Sequence, residues 1–179
     1  MTAGLRFLKG HGTENDFVLL PDLDGTLDLT PDLVRALCDR RSGIGADGVL
    51  RIVPSALDQE SAEHADKAPF FMDYRNADGT IAEMCGNGAR VYAHYLVMAG
   101  LAEPGWMQVA TRRGVLPVHV SREGDVMVDM GPAEVGDDVD VDGVSATFVS
   151  MSNPHAVVPV PSVAALGELK TARLDLNVE

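Results

Sequence analysis

The sequence predicts a mixed α/β protein, and three observations carry that reading. Short apolar runs such as "GVLRIVP" and "FFMDYR" are bounded by Gly, Pro, Asn and Asp, the pattern of strands closed by turns. The stretch "TPDLVRALCDRRSG" from Thr30 has the spacing and caps of one amphipathic helix. A second helix, from Ala89 to Ala99, is apolar on nearly every face and is led by glycines.

Along the chain, "LRFLKGHGTENDFVLL" reads as two short strands flanking a polar loop from His11 to Asp16. In the first helix, Thr30 is the N-cap, Pro31 the first helical position, and Gly43 the stop. Leu33, Val34, Leu37 and Cys38 form its apolar stripe, so Cys38 reads as a small buried hydrophobe. "SALDQESAEHADKAP" is polar and turn-rich, a surface loop or short helix. "FFMDYRNADGT" is a strand with a turn at Asn76 to Gly79, and Gly100 closes the second helix. Beyond it, "WMQVATRRGVLPVHVSREGDVMVDMGPAEV" gives several short strands. No linker marks a border, and the sequence places one near Ser121, dividing residues 1–121 from 122–179.

Composition narrows the function. With 46% hydrophobic and 23% charged residues the chain is an ordinary globular protein. Its formal charge of −13 and lack of any Lys/Arg cluster argue against nucleic acid as a partner. No apolar run reaches signal-peptide or membrane-helix length, so a cytoplasmic protein without a membrane partner is expected. Its two cysteines, Cys38 and Cys85, are then expected to stay reduced. No paired His/Cys spacing suggests a metal.

The chemistry concentrates at Cys85, which stands before "GNG" at the amino end of the second helix. Gly86 and Gly88 let the backbone approach a ligand, and first-turn N–H groups with the helix dipole make a cradle for a small carboxylate. The same field favours the thiolate of a cysteine placed there. The alternative is a core cysteine beside a turn whose glycines serve only closure. Asn15, Asn76, Asn153 and His155 also lie in loops between apolar runs. Singly, each fits a turn or structural residue; together they suggest a site that reads a zwitterionic amino acid.

The segments "KGHGTENDF", "DRRSGIGADGVL", "YRNADGTIAEMCGNGAR" and "MSNPHAV", in that order, resemble the successive motifs of the diaminopimelate epimerases. The proline racemases and phenazine-pathway isomerases share that family's fold without "CGNGAR" in this form. The resemblance implies two pseudo-symmetric α/β halves, each a β-sheet curled round a central helix, the second half incomplete here. It implies a cofactor-independent isomerase that interconverts LL- and meso-diaminopimelate for lysine and peptidoglycan precursors. Cys85 would be one of two acid/base cysteines, with His155 tuning a thiol. Asn15, Asn76, Gly86, Asn87 and Asn153 would contact substrate, as would Asn177 in the closing "LNVE". No cofactor is implied; the partner is a small amino acid, with a homodimer as a candidate assembly.

Three positions depart from the family pattern. Gly48 stands where many relatives carry a substrate-touching Gln, Glu14 replaces Gly or Gln, and Ser152 replaces Gly before "NPH". The second catalytic cysteine, in a late "ACGTG"-like segment after a Glu-Arg pair, has no counterpart in these 179 residues, and Cys38 matches a different, structural stretch. The chain as written is therefore expected to be inactive alone; the alternative is a non-catalytic piece that at most binds amino acids. A cysteine hydrolase is disfavoured, since no base and orienter can be assigned around Cys85.

These assignments separate the two thiols. In the folded protein at pH 7, alkylation followed by mass spectrometry is expected to label Cys85 faster than Cys38; the reverse order would remove Cys85 from the site.

Overall fold

The computed structural model describes residues 4–141, 143–151 and 154–162. They divide into two compact units, Met1–Met130 and Gly131–Glu179.

The first unit carries seven strands: β1 (Leu8–Gly12), β2 (Asn15–Pro21), β3 (Gly48–Pro54), β4 (Phe70–Asn76), β5 (Gly105–Thr111), β6 (Gly114–Val120) and β7 (Val126–Val128). They lie in one sheet in chain order. The β2–β3 and β4–β5 pairs are parallel and the others antiparallel. Helices α1 (Pro31–Cys38) and α2 (Gly86–Met98) make the parallel connections possible, since a parallel pair needs a long crossover. The polar loop expected at His11–Asp16 is shorter than the sequence suggests: β1 and β2 pair up to Gly12 and Asn15, leaving Thr13 and Glu14 as the turn.

Why strands β2 to β4 read as unbroken apolar runs follows from their two covered faces. Phe17 and Leu19 pack with Leu50, Ile52 and Met72 against Tyr92, Ala93 and Leu96 of α2. Val18 and Leu20 point the other way, with Val49, towards Val34 and Cys38 of α1. In β6 only Leu116, Val118 and Val120 are buried, and the alternation is that of a one-sided strand.

Helix α2 packs against β1 and β7, the two outermost strands, as well as β2, β3, β4 and β6. A single helix can touch both edges of a seven-stranded sheet only if the sheet curls round it. Tyr92, fully buried on this helix, donates its hydroxyl to the Phe71 carbonyl at 2.8 Å and so meets the hydrogen-bonding demand of a buried phenol. Gly100 ends the helix as expected, its N–H bonded to the Val97 carbonyl while Leu101 N–H bonds back to Leu96.

The unit extends to Met130, past the border expected at Ser121, because β7 adds to β6 in register Val118↔Val128 and Val120↔Val126. "SALDQESAEHADKAP" forms two short 3-10 turns, Ser55–Leu57 and Ala62–His64. It is less peripheral than its polarity suggests, since Ser55 and Ser61 are buried, bonded to the Ala68 and Ser55 carbonyls.

In the second unit, β8 (Glu134–Val141), β9 (Val144–Ser150) and β10 (Pro154–Val157) form an antiparallel sheet with β9 in the middle. Its pairing slips between Val135 and Asp138. No helix among the described residues is long and apolar enough to cross a membrane.

A buried ion network ties β3 and β4 to the end of β2, the loop after β3 and the β5–β6 turn. Asp73 accepts from Arg75 at 2.7 Å and Arg112 at 2.6 Å, and faces Arg51 at 3.5 Å. Arg51 also meets Asp22 and Asp58, and Arg112 meets Glu60. Burial works to raise the Asp73 carboxyl, but the Arg75 and Arg112 guanidinium groups outweigh it and hold it below its ordinary value. Such a group stabilises the fold above its unfolded-state value and loses that contribution as pH falls towards its folded-state value. Asp73→Asn is therefore expected to cost about 3 kcal/mol in urea unfolding at neutral pH. The gap to wild type should narrow on acidification; a gap that did not change with pH would show that the carboxylate charge is not what matters.

Candidate active site

One end of the first sheet gathers the sequence-predicted residues. Asn15 opens β2, Gly48 opens β3 and Asn76 closes β4, and the register pairs Gly48 with Phe17 on one side and Asn76 on the other. The chain then turns at Gly79, whose N–H bonds to the Asn76 carbonyl, and runs back to the amino end of α2.

Cys85 is the N-cap of α2, in extended conformation at φ −142° and ψ 120°. Its Sγ accepts the Gly88 N–H at 3.4 Å, the place a Ser or Asp oxygen usually takes. The first-turn N–H groups of Gly86 and Asn87 have no intrahelical carbonyl to reach, which leaves them as outward-facing donors at the helix end. The thiol is half-buried and lies 3.8 Å from the Asn15 Oδ1. Asn87 donates its Nδ2 to the same oxygen at 3.3 Å.

Asn15 is held there by a strained turn. Thr13 and Glu14 have φ of 55° and 66°, the left-handed pair that a tight hairpin requires and that Asn-Gly ordinarily supplies. The cost is on the order of 1 kcal/mol for each residue. Arg90 anchors the turn, donating to Thr13 Oγ1 at 2.6 Å and to Asn87 Oδ1 at 2.5 Å. Gly12 must be small, because a Cβ there would stand 2.9 Å from the Asn87 carbonyl oxygen.

Two carboxylates outside the predicted set complete this corner. Asp47 accepts from Asn15 Nδ2 at 2.8 Å and from Arg40 at 2.7 Å. Asp16 is held well below the usual carboxylate range by Arg40, with burial opposing and Lys9 assisting. Sequence reading passed over Asp47, Arg90 and Thr13. The available signals were that Arg90 follows Asn87 by three positions, hence shares its helix face, and that Asp47 directly precedes a strand aligned with Asn15.

The departure at Gly48 has a physical partner. A Cβ there would stand 2.7 Å from Tyr74 Cε2 and 2.6 Å from the Arg75 carbonyl, so the Tyr74 ring and a side chain at position 48 exclude one another. Burial pushes the Tyr74 phenol up to about 12, with Cys85 adding to the effect, and it stays protonated to donate to Asn76 Oδ1 at 2.9 Å. Asn76 in turn donates Nδ2 to Thr80 Oγ1 at 3.0 Å, and Thr80 donates to Asp78. The Asn76 amide is thus oriented from both ends.

His155 lies exposed in β10 of the second unit, paired with Val149. Asn153, Asn177 and the departure at Ser152 fall outside the described residues. Cys38 is 4% exposed in the α1 core, where burial pushes its thiol up; both cysteines are free. Among the described residues no cluster of His, Cys, Asp or Glu could hold a metal ion. A cavity of about 440 Å³ lies between β1, the outer turns of α2 and the start of β7, with His11, His94 and Arg90 on its wall; Cys85 does not line it.

Solved structures of similar fold include a Bacillus anthracis phenazine biosynthesis protein of the PhzF family and a probable proline racemase from Agrobacterium radiobacter. The first is 19% identical, with a TM-score of 0.59 over 86% of this chain and 55% of its own. The second is 15% identical, with a TM-score of 0.60 over 82% and 49%. At those identities the likeness shows the fold alone. In sequence the chain is 51% identical to the diaminopimelate epimerase of Streptomyces coelicolor, over 94% of this chain and 60% of that protein. It is 50% identical to that of Thermobifida fusca, over 95% and 65%. The chain thus spans less than two thirds of the length of these relatives. With the diaminopimelate epimerase family model matching residues 7–136, the chain belongs to the diaminopimelate epimerase family.

Proposed function

We propose that these residues form the first half of a cofactor-independent epimerase that interconverts LL- and meso-diaminopimelate, with Cys85 as one of its two acid/base groups. The observation that carries this reading is the placement of Cys85. A half-buried sulfur caps a helix whose first-turn amides can hold a substrate carboxylate, and two asparagine amides converge beside it. The relatives, diaminopimelate epimerases, supply the substrate.

Inversion at an α-carbon needs a base on one face and an acid on the other, because a single group would return the proton to the side it left. In one direction the Cys85 thiolate takes the α-proton. The Cα–H electron pair passes into the adjoining carboxylate, whose growing charge the Gly86 and Asn87 amides and the helix dipole stabilise. A second thiol then delivers a proton to the opposite face, and Cys85 leaves the cycle protonated. In the other direction the two thiols exchange roles. Asn15, Asn76 and Asn87 would orient the amino acid. Asn153 and His155 enter this proposal from the sequence pattern and the resemblance, Asn177 from the resemblance alone, and a cytoplasmic setting from the sequence. No residue described here matches the second thiol, and Cys38 belongs to the other core.

The test is α-hydrogen exchange in deuterated water with LL-diaminopimelate, following isomer ratio and α-deuterium together. The 179-residue chain alone is expected to give no inversion. The same residues completed to the relatives' full length should turn over, and Cys85→Ala in that protein should lower kcat on the order of 10³-fold. Full turnover by the short chain, or by Cys85→Ala, would overturn the proposal.

A further inference from the structure

The hydrogen bonds beside Cys85 run in one direction, and the two groups that set that direction lie outside the substrate-contacting residues. Arg90 can only donate, and it gives an N–H to Asn87 Oδ1 at 2.5 Å. The other end of that amide, Nδ2, therefore faces Asn15 and donates to its Oδ1 at 3.3 Å. Asn15 Nδ2 donates in turn to Asp47 Oδ2 at 2.8 Å, and an ionised carboxylate can only accept. Arg40 binds the other Asp47 oxygen, and the Asp16 N–H joins Asn15 on Oδ2, so Asp47 is itself fixed. A chain with a donor-only group at one end and an acceptor-only group at the other has one consistent orientation. In it Asn15 turns its oxygen, not its NH2, towards the Cys85 sulfur.

We propose that Asp47 is a positioning residue for the acid/base chemistry of Cys85, acting through Asn15: it aims the amide oxygen at Sγ, with Arg90 locking Asn87 in the matching orientation. The local geometry fits a neutral S–H, since the sulfur accepts from Gly88 N–H at 3.4 Å and can donate to Asn15 Oδ1 at 3.8 Å. The sulfur thus meets a donor on the helix side and an acceptor on the Asn15 side. A group that must serve as acid for one isomer and base for the other benefits from such opposed influences. The ionisable groups brought here by the surrounding elements are Tyr74 on β4, Glu14 in the β1–β2 turn, Arg90 on α2, and Asp47 backed by Asp16 and Arg40.

The inference deepens the proposed role of Cys85, yet its test reads thiol ionisation in the chain itself and not turnover, so its failure would leave the exchange assay to stand. The measurement is the pH profile of iodoacetamide labelling of Cys85, with the buried Cys38 as an internal monitor of folding. In Asp47→Asn the Asn15 amide is free to rotate and present its NH2. Labelling of Cys85 at pH 7 is expected to rise about tenfold, the scale of one hydrogen bond to a charged group. Asn15→Ala, which removes the oxygen while keeping Asp47, should raise it in the same direction. Removal of the Asp47 charge would also favour the thiolate through space, and the double variant separates the two routes. With Asn15→Ala already present, Asp47→Asn should change the rate by less than about twofold, the non-additivity of groups acting through one another. An equal effect of Asp47→Asn in both backgrounds, or no rise in Asn15→Ala, overturns the proposal. Should Cys38 labelling rise in Asp47→Asn, the profile of Asn15→Ala alone decides.

Discussion

Everything in the first unit depends on enclosing α2. A helix that carries Val91, Tyr92, Ala93, Tyr95, Leu96 and Val97 is apolar on nearly every face, and a flat sheet would cover only one side of it. The sheet must curl until β1 and β7 both reach the helix. That requirement also determines where chemistry can occur. The sheet covers most of α2, its outer turns line the cavity between β1 and β7, and its amino end emerges among the ends of β2, β3 and β4. The dipole of a buried helix is poorly screened by solvent, so its field there is stronger than at an exposed terminus.

Much of this was legible in the sequence because it rests on local rules. Thr30 followed by Pro31 marks a helix start whatever surrounds it, and the apolar circumference of α2 announces a buried helix. Cys85 before "GNG" marks the helix entry for the same reason. What escaped notice depends on partners distant in the chain. Asp47 matters because Asn15 lies beside it, and that neighbourhood exists only once β2 and β3 pair in parallel. Ser55 and Ser61 look like surface residues until the Ala68 and Ser55 carbonyls are seen to need donors. The border read near Ser121 stops short of β7, because a three-residue strand is too short to register as periodicity and is recognised only by its pairing with β6.

The two charged assemblies of this unit work differently. Around Asp73 the charges are buried and reciprocal, each guanidinium reaching a carboxylate, and the result is rigidity across three strands. Around Asp47 the groups are half-exposed, worth little as surface ion pairs, and their interest lies in direction instead of strength. Both depend on arginine, whose several fixed N–H groups can bind two acceptors at once, as Arg40 does with Asp16 and Asp47.

The mutual exclusion of Tyr74 and a side chain at position 48 has an evolutionary consequence. Neither position can change freely while the other is held. A larger residue at 48 meets the tyrosine ring and the Arg75 carbonyl, and loss of the tyrosine beside Gly48 leaves a void and releases one end of the Asn76 amide. The two positions are coupled, and because the Arg75 carbonyl is backbone, changing Tyr74 alone would not make room for a side chain at 48.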